Sequence, residues 1–202
     1  MQTTGIIMAG GKNSRMGRDK ACLHVGTETI LENTVNQLTK VVNNILVISN
    51  RPQSLSGSGL HIVPDIFPGC GPLGGIHAWL VHSTTDVNLV VACDMPFLHE
   101  KMLKYLVEHG ARYDVVIPRL GNYLEPLTAC YHKSCLQVIE SHINERRLKI
   151  TSFFPEVDVL YVERKKLTEL AGTDYSFFNV NTPEDLEQAR DIKKRLGLPA
   201  KG

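Results

Sequence analysis

The chain of 202 residues carries almost no net charge: 22 Lys and Arg against 21 Asp and Glu leave +1. A balance this even removes any whole-molecule electrostatic case for a nucleic-acid or membrane partner. Aromatic residues are scarce, at 6%, with a single Trp. The most apolar stretch, 87–93, is far too short to cross a bilayer. At the N-terminus Gly10 and Gly11 follow only a few apolar residues, and no basic region precedes them, so a secretory signal is not expected. No CxxC pair occurs. Cys22, Cys70, Cys93, Cys130 and Cys135 are scattered and odd in number, which fits buried thiols in a reducing, cytoplasmic setting. Cys130, His132 and Cys135 cluster locally, but without a second ligand pair they do not make a zinc site. Internal repeats and long linkers are missing too, so one domain spanning 1–202 is expected, with a core that needs no staples.

What is present is an alternation of β-rich runs and helix-period segments. Strands are expected over 4–8, 44–49, 60–63, 87–93, 114–118, 127–131, 157–162 and 177–180. Helices are expected over 29–42, 73–82, 96–108, 133–144 and 183–196. The last opens on Thr182-Pro183-Glu184-Asp185, which joins an N-cap, a proline at the first helical position and first-turn acids. Such alternation predicts an α/β fold: a mostly parallel, Rossmann-like sheet between two helical layers, with right-handed crossovers.

The most informative segment follows the first strand: Gly5-Ile6-Ile7-Met8-Ala9-Gly10-Gly11-Lys12-Asn13-Ser14-Arg15-Met16-Gly17-Arg18-Asp19-Lys20. Glycines let the backbone turn sharply and bring bare N–H groups to an anion. Four cations and one anion between Lys12 and Lys20 give a local charge of +3 on a nearly neutral chain. Both features suit a polyanion at the C-terminal edge of the sheet, where α/β proteins bind ligands. The segment is not a Walker A loop, because Gly17 is followed by Arg18. A second glycine run, Gly69-Cys70-Gly71-Pro72-Leu73-Gly74, formally matches GxGxxG, with Asp94 20 residues beyond Gly74. Pro64 and Pro68 break the approach, and Pro72 has no N–H to offer a pyrophosphate, so a dinucleotide fingerprint is rejected. Asp94 itself ends the run Leu89-Val90-Val91-Ala92-Cys93. A carboxylate at the end of a buried strand needs a cation, water or a capping role. Mg²⁺, which takes one or two carboxylates plus phosphate oxygens and water, suits it.

The segment Met8 to Lys20 resembles the LAGGxSxRMGxDK signature of nucleotidyltransferases, and within them the molybdenum cofactor guanylyltransferases (the molybdopterin-guanine dinucleotide biosynthesis protein A family). The likeness extends through Gly71-Pro72-Leu73-Gly74-Gly75, Cys93-Asp94-Met95-Pro96 and Asn179-Val180-Asn181-Thr182-Pro183-Glu184-Asp185. It implies a nucleotidyltransferase domain that moves GMP from GTP to the phosphate of molybdopterin, or Mo-molybdopterin, and releases pyrophosphate. It also implies Mg²⁺ held by Asp94, with Arg15 and Lys20 acting on the triphosphate. Met8, Ala9, Gly10, Gly11, Lys20, Asn50, Asp65 and Asp94 would contact the nucleotide. Asp65 could read the guanine edge, and Asn179 and Asn181 could assist the metal or the acceptor. Proteins that deliver molybdopterin or receive the product are implied as partners.

Several alternatives stay open at this level. Lys12, Arg18 and the clusters Arg146-Arg147-Lys149 and Arg164-Lys165-Lys166 are as readily solvated surface as phosphate contacts. The Gly121–Leu127 segment corresponds to the family's acceptor cleft, yet Glu125 is a poor match for an anionic acceptor. Asn-x-Asn-Thr-Pro and Ala-Gly-Gly, in place of the Asp-x-Asp-Thr-Pro and Ala-Ala-Gly of related cytidylyltransferases, lean towards guanine. CTP or another phosphorylated acceptor, or a nucleotide-binding regulator without activity, are the competing readings.

Overall fold

The computed structural model describes residues 2–9, 20–49, 61–63 and 69–197. Their frame is an eight-stranded sheet. It is made from β1 (Thr3–Met8), β4 (Asn44–Ile48), β5 (His61–Val63), β6 (Val87–Ala92), β7 (Val115–Leu120), β8 (Tyr123–Leu124), β9 (Thr128–His132) and β10 (Val159–Glu163). The order is β10-β7-β9-β6-β1-β4-β5, with β8 hydrogen-bonded to β7. β1 lies between β4 and β6 and is parallel to both. β5 continues this parallel set beyond β4, and β10 pairs parallel with β7. β9 is the exception, antiparallel to β6 on one side and β7 on the other. Two short strands, β2 (His24–Val25) and β3 (Glu28–Thr29), form a separate antiparallel pair.

The sequence alternates across this sheet as strand geometry requires. Ile7, Leu89, Val91, Val116 and Cys130 enter one hydrophobic layer, and Ile6, Val90, Val115, Ile117, Ala129 and Tyr131 enter the other. The first layer is closed by α1 (Ile30–Leu38), α3 (Glu100–His109) and α5 (Arg164–Ala171), through Leu38, Met102, Leu106 and Leu167. The second is closed by α2 (Gly71–His82), α4 (Cys135–Asn144) and the 3-10 segment Ile150–Glu156, through Trp79, Ile139 and Phe153. Burial on both faces explains why β6 reads as apolar sequence interrupted only by Asn88. The expected three-layer arrangement is therefore what forms. A third, smaller cluster seats α6 (Pro183–Arg195) on Ile30, Phe97 and Val180.

Three local expectations are corrected. The helix expected from Pro96 begins at Glu100: Phe97 and Leu98 are buried, the Pro96 carbonyl accepts from Asn33 Nδ2 at 2.8 Å, and His99 is the N-cap. The short strand expected at 177–180 is missing. Asp174–Phe177 is a 3-10 turn, and the Val180 N–H donates to the Asp94 carbonyl at 2.9 Å rather than to a strand ladder. The helix expected over 29–42 stops at Leu38, with Thr29 as its N-cap in a capping box with Glu32. The Cys130–Cys135 segment holds no metal-like arrangement among the described residues; both thiols are buried, and burial pushes the Cys135 thiol up to about 12.

The α6 cap is the most explicit local device. Thr182 Oγ1 accepts from the Asp185 N–H at 3.2 Å, and Asp185 Oδ2 accepts from the N–H groups of Asn181 and Thr182, both at 2.8 Å. The Asn181 amide is the main cause of the lowered Asp185 pKa. Thr182→Ala is expected to cost about 1 kcal/mol in urea unfolding at neutral pH. A carboxylate with a lowered folded pKa stabilises above its unfolded value and loses that contribution as pH falls through the folded one. The stability gap between the parent and Asp185→Asn should therefore be present at pH 7 and close below about pH 4.

Candidate active site

The parallel set β4-β1-β6 brings three strand ends to one edge. The Ala9 N–H donates to the Ile48 carbonyl at 2.9 Å, and the Cys93 N–H to the Met8 carbonyl at 3.2 Å. Each strand is thus tied to its neighbour one residue past its regular pairing. Asp94 stands just beyond the β6 end. The Met8 side chain turns the other way, into α2, where a Cβ on Gly75 would come within 2.7 Å of its methyl. The glycine at 75 thus permits close helix–strand contact.

Lys20 and Asp94 meet at this edge. Lys20 Nζ lies 3.7 Å from Asp94 Oδ2, with both side chains roughly four-fifths buried. Lys20 also donates to Asn181 Oδ1 at 2.6 Å. The Asp94 carboxyl is held above the usual carboxylate range, because burial outweighs the opposing pull of Lys20. An ionised Asp94 is therefore short of favourable contacts here, and a further cation would relieve it.

Asn179 and Asn181 are paired candidates in the sequence, and the structure separates them. Because the expected strand does not form, Asn179 Nδ2 turns back to the Phe177 carbonyl at 3.3 Å, while Asn181 reaches Lys20. The Asp185 carboxylate holds the Asn181 backbone, so the chain Asp185–Asn181–Lys20–Asp94 links the α6 cap to the end of β6. Of the other sequence candidates, Ala9 is buried at the end of β1. Gly10, Gly11, Lys12, Arg15, Arg18, Asn50 and Asp65 lie outside the described residues.

Sequence reasoning undervalued two residues. Glu125, in the turn between β8 and β9, has its carboxyl pKa raised by burial and then by the charge of Asp94. A second carboxylate thus borders the cleft. Its signal was topological: β7 and β8 make a hairpin, and β9, entering antiparallel beside β6, starts at the edge where β6 ends. Asp185 was read only as a cap, and it also positions Asn181.

As a metal site, this arrangement offers few protein ligands. No group of three or more His, Cys, Asp or Glu side chains that could hold an ion occurs among the described residues. One largely buried aspartate whose ionised form burial disfavours fits a hard cation that keeps water and substrate phosphate oxygens in its shell. Asp94 is the residue that fits Mg²⁺ on these grounds.

Comparisons with known proteins agree with this fold. Residues 5–156 match the model of the MobA-like NTP transferase domain. A protein of Pelotomaculum thermopropionicum named "Probable molybdenum cofactor guanylyltransferase" is 42% identical, covering 94% of this chain and 93% of that one. The molybdenum cofactor guanylyltransferase of Desulfosudis oleivorans is 32% identical over 92% and 93% of the two chains. The crystal structure of molybdopterin-guanine dinucleotide biosynthesis protein A from Archaeoglobus fulgidus superposes with a TM-score of 0.81 at 28% identity, covering 95% and 99%. With an α/β sheet of the same kind and a family match across three-quarters of its length, the chain belongs to the MobA-like NTP transferases, alongside the molybdenum cofactor guanylyltransferases.

Proposed function

We propose that this chain acts as one nucleotidyltransferase domain that transfers GMP from GTP to the phosphate of molybdopterin. The observation that carries the reading is the convergence of Lys20, Asp94 and Asn181 at the shared end of β1 and β6, in a chain of this family. An oxygen of the acceptor phosphate forms a bond to the α-phosphorus of GTP. The bond from that phosphorus to the oxygen bridging to the β-phosphorus breaks, and its electron pair leaves with pyrophosphate. The product is a phosphoanhydride. The attacking phosphate is already anionic, so no general base is needed, and positioning and charge neutralisation carry the catalysis.

Lys20 neutralises the triphosphate, and its ammonium is oriented by Asn181 and Asp94. Arg15 joins it on the departing pyrophosphate, with Gly10 and Gly11 offering backbone N–H groups to the phosphates. Asn50 and Asp65 contact the nucleoside, Asp65 as the acceptor for guanine's ring N–H and amino group. Asp94 holds Mg²⁺, which when bound supplies positive charge at the reacting α-phosphate. Asn179, bonded back on its own turn, contributes on the acceptor side. Proteins that deliver molybdopterin or collect the dinucleotide complete the set of partners. Among the described residues no helix is long and apolar enough to cross a membrane.

The test is pyrophosphate release with molybdopterin, Mg²⁺ and GTP, CTP or ATP in separate reactions. GTP should be consumed and the guanine dinucleotide formed. Turnover with CTP alone would reject the guanine reading, and binding of nucleotide with no product from any of the three would leave only a regulator. Asp94→Asn should lower turnover about 100-fold or more while the melting temperature stays within about 4 °C. Near-normal turnover would remove Asp94 as the metal ligand. Lys20→Ala should weaken GTP binding far more than guanosine binding.

The pH dependence follows from the charges. Asp94 must be ionised to hold a cation, so kcat/KM falls as pH drops through its raised pKa. Lys20 is the main group pulling that pKa down. Lys20→Gln should therefore move the acidic limb of the kcat/KM profile to higher pH, by about one unit.

A further inference from the structure

Strands β6 and β9 run antiparallel, and they keep one register from Val87 and His132 to Val91 and Thr128. Followed three residues further, that register sets Asp94 against Glu125. Backbone bonds fix the turn that carries Glu125. Its N–H donates to the Pro118 carbonyl on β7 at 3.1 Å, and its carbonyl accepts from the Thr128 N–H at 3.0 Å. The Tyr131 hydroxyl donates to the next carbonyl, that of Pro126, at 2.8 Å. Thr128 also ties this turn to the Asp94 segment: its Oγ1 stands 3.0 Å from Met95 Sδ, with both residues buried. The sheet and its turn thus hold Glu125 across from Asp94.

Cations do not match the two carboxylates among the described residues. Glu125 is half-buried, and its carboxyl responds to burial first and then to the charge of Asp94. No hydrogen-bond donor or ion-pair partner among the described residues reaches that carboxylate. Lys20 is already engaged, 3.7 Å from Asp94 and bonded to Asn181. One ammonium therefore serves two carboxylates, in a place where burial makes uncompensated charge costly. A hard divalent cation restores the balance, since it takes one or two carboxylates and completes its shell with water and phosphate oxygens. A proton shared by the pair is the other way to relieve the repulsion, and it would leave Glu125 no part in metal binding.

We propose that Glu125 is the second carboxylate of the cation site, serving it from the β9 side while Asp94 serves it from the β6 side. The inference rests on the reading above that Asp94 holds Mg²⁺. It also gives the pair a part in nucleotide selection. Without a cation, the two carboxylates repel a triphosphate. With one in place, they retain the triphosphate through the oxygens that it shares with the ion. Glu125 thus strengthens the mutual dependence of cation and triphosphate, so that the two are taken as one complex.

Mn²⁺ is the probe, because the paramagnetic resonance signal of the free ion reports how much is bound. It is titrated into the full chain with a GTP analogue that carries a methylene between the α- and β-phosphorus and so releases no pyrophosphate. Glu125→Gln should weaken Mn²⁺ binding about tenfold or more. With EDTA in place of metal, the same variant should bind the analogue at least as tightly as the parent, because one repelling charge is gone. A smaller loss of Mn²⁺ affinity, or none, overturns the proposal and favours the shared proton. Weaker binding of the analogue with EDTA as well as with metal overturns it too, and makes Glu125 a structural part of its turn. GMP transfer to molybdopterin, measured in parallel with Mg²⁺, separates the two readings. Transfer by the parent, with Mn²⁺ binding insensitive to Glu125→Gln, rejects Glu125 alone. Mn²⁺ binding that depends on Glu125 without any transfer rejects the proposed activity and leaves the carboxylate pair standing. Asp94→Asn that binds Mn²⁺ like the parent rejects the metal reading on which both rest.

Discussion

The contact between Lys20 and Asp94 is the interaction around which the rest is arranged. Burial works against an ionised Asp94, and Lys20 only partly offsets that cost. Under the proposed function, a polyanion and its accompanying cation would each find one of the two charges already in place. What keeps the pair together is the backbone: β1 and β6 in parallel register, the Cys93 amide tied to Met8, and the Asp94 carbonyl tied to Val180. The α6 cap adds the last restraint by holding Asn181 against the ammonium.

Much of the frame was legible because its strands are short, apolar and alternating. Ile6 and Ile7, or Leu89, Val90 and Val91, declare a sheet covered on both faces before any coordinates exist. The errors fall where tertiary contacts override local pattern. Proline at 96 looks like a helix start, but Phe97 and Leu98 are wanted in the core, and the helix waits for His99. The 177–180 segment has strand composition and no neighbouring strand to pair with, so it turns. Helix α5 begins with Arg164-Lys165-Lys166, which reads as solvated surface, and Leu167, Leu170 and Ala171 anchor it.

The site divides in the same manner. Lys20 and Asp94 could be named because the motif and the strand end that mark them are local features of the sequence. The partner of Lys20 could not, since Asn179 and Asn181 are equivalent by spacing and are distinguished only by the route of the turn. Glu125 escaped for a related reason. Its meaning depends on which way β9 runs, and strand direction is a property of the assembled sheet.

The reversal of β9 has a consequence for how such a protein can change. In a wholly parallel sheet every loop bordering the cleft would leave a strand on its way to a helix, and altering one would disturb the helix packing behind it. Here the 121–127 hairpin reaches the same rim between two antiparallel strands, with no helix attached to it. Apart from Glu125, its length and chemistry are free to vary while β1, β4 and β6 stay fixed. Selectivity for the second substrate can thus drift on a piece of chain independent of the one that grips the first.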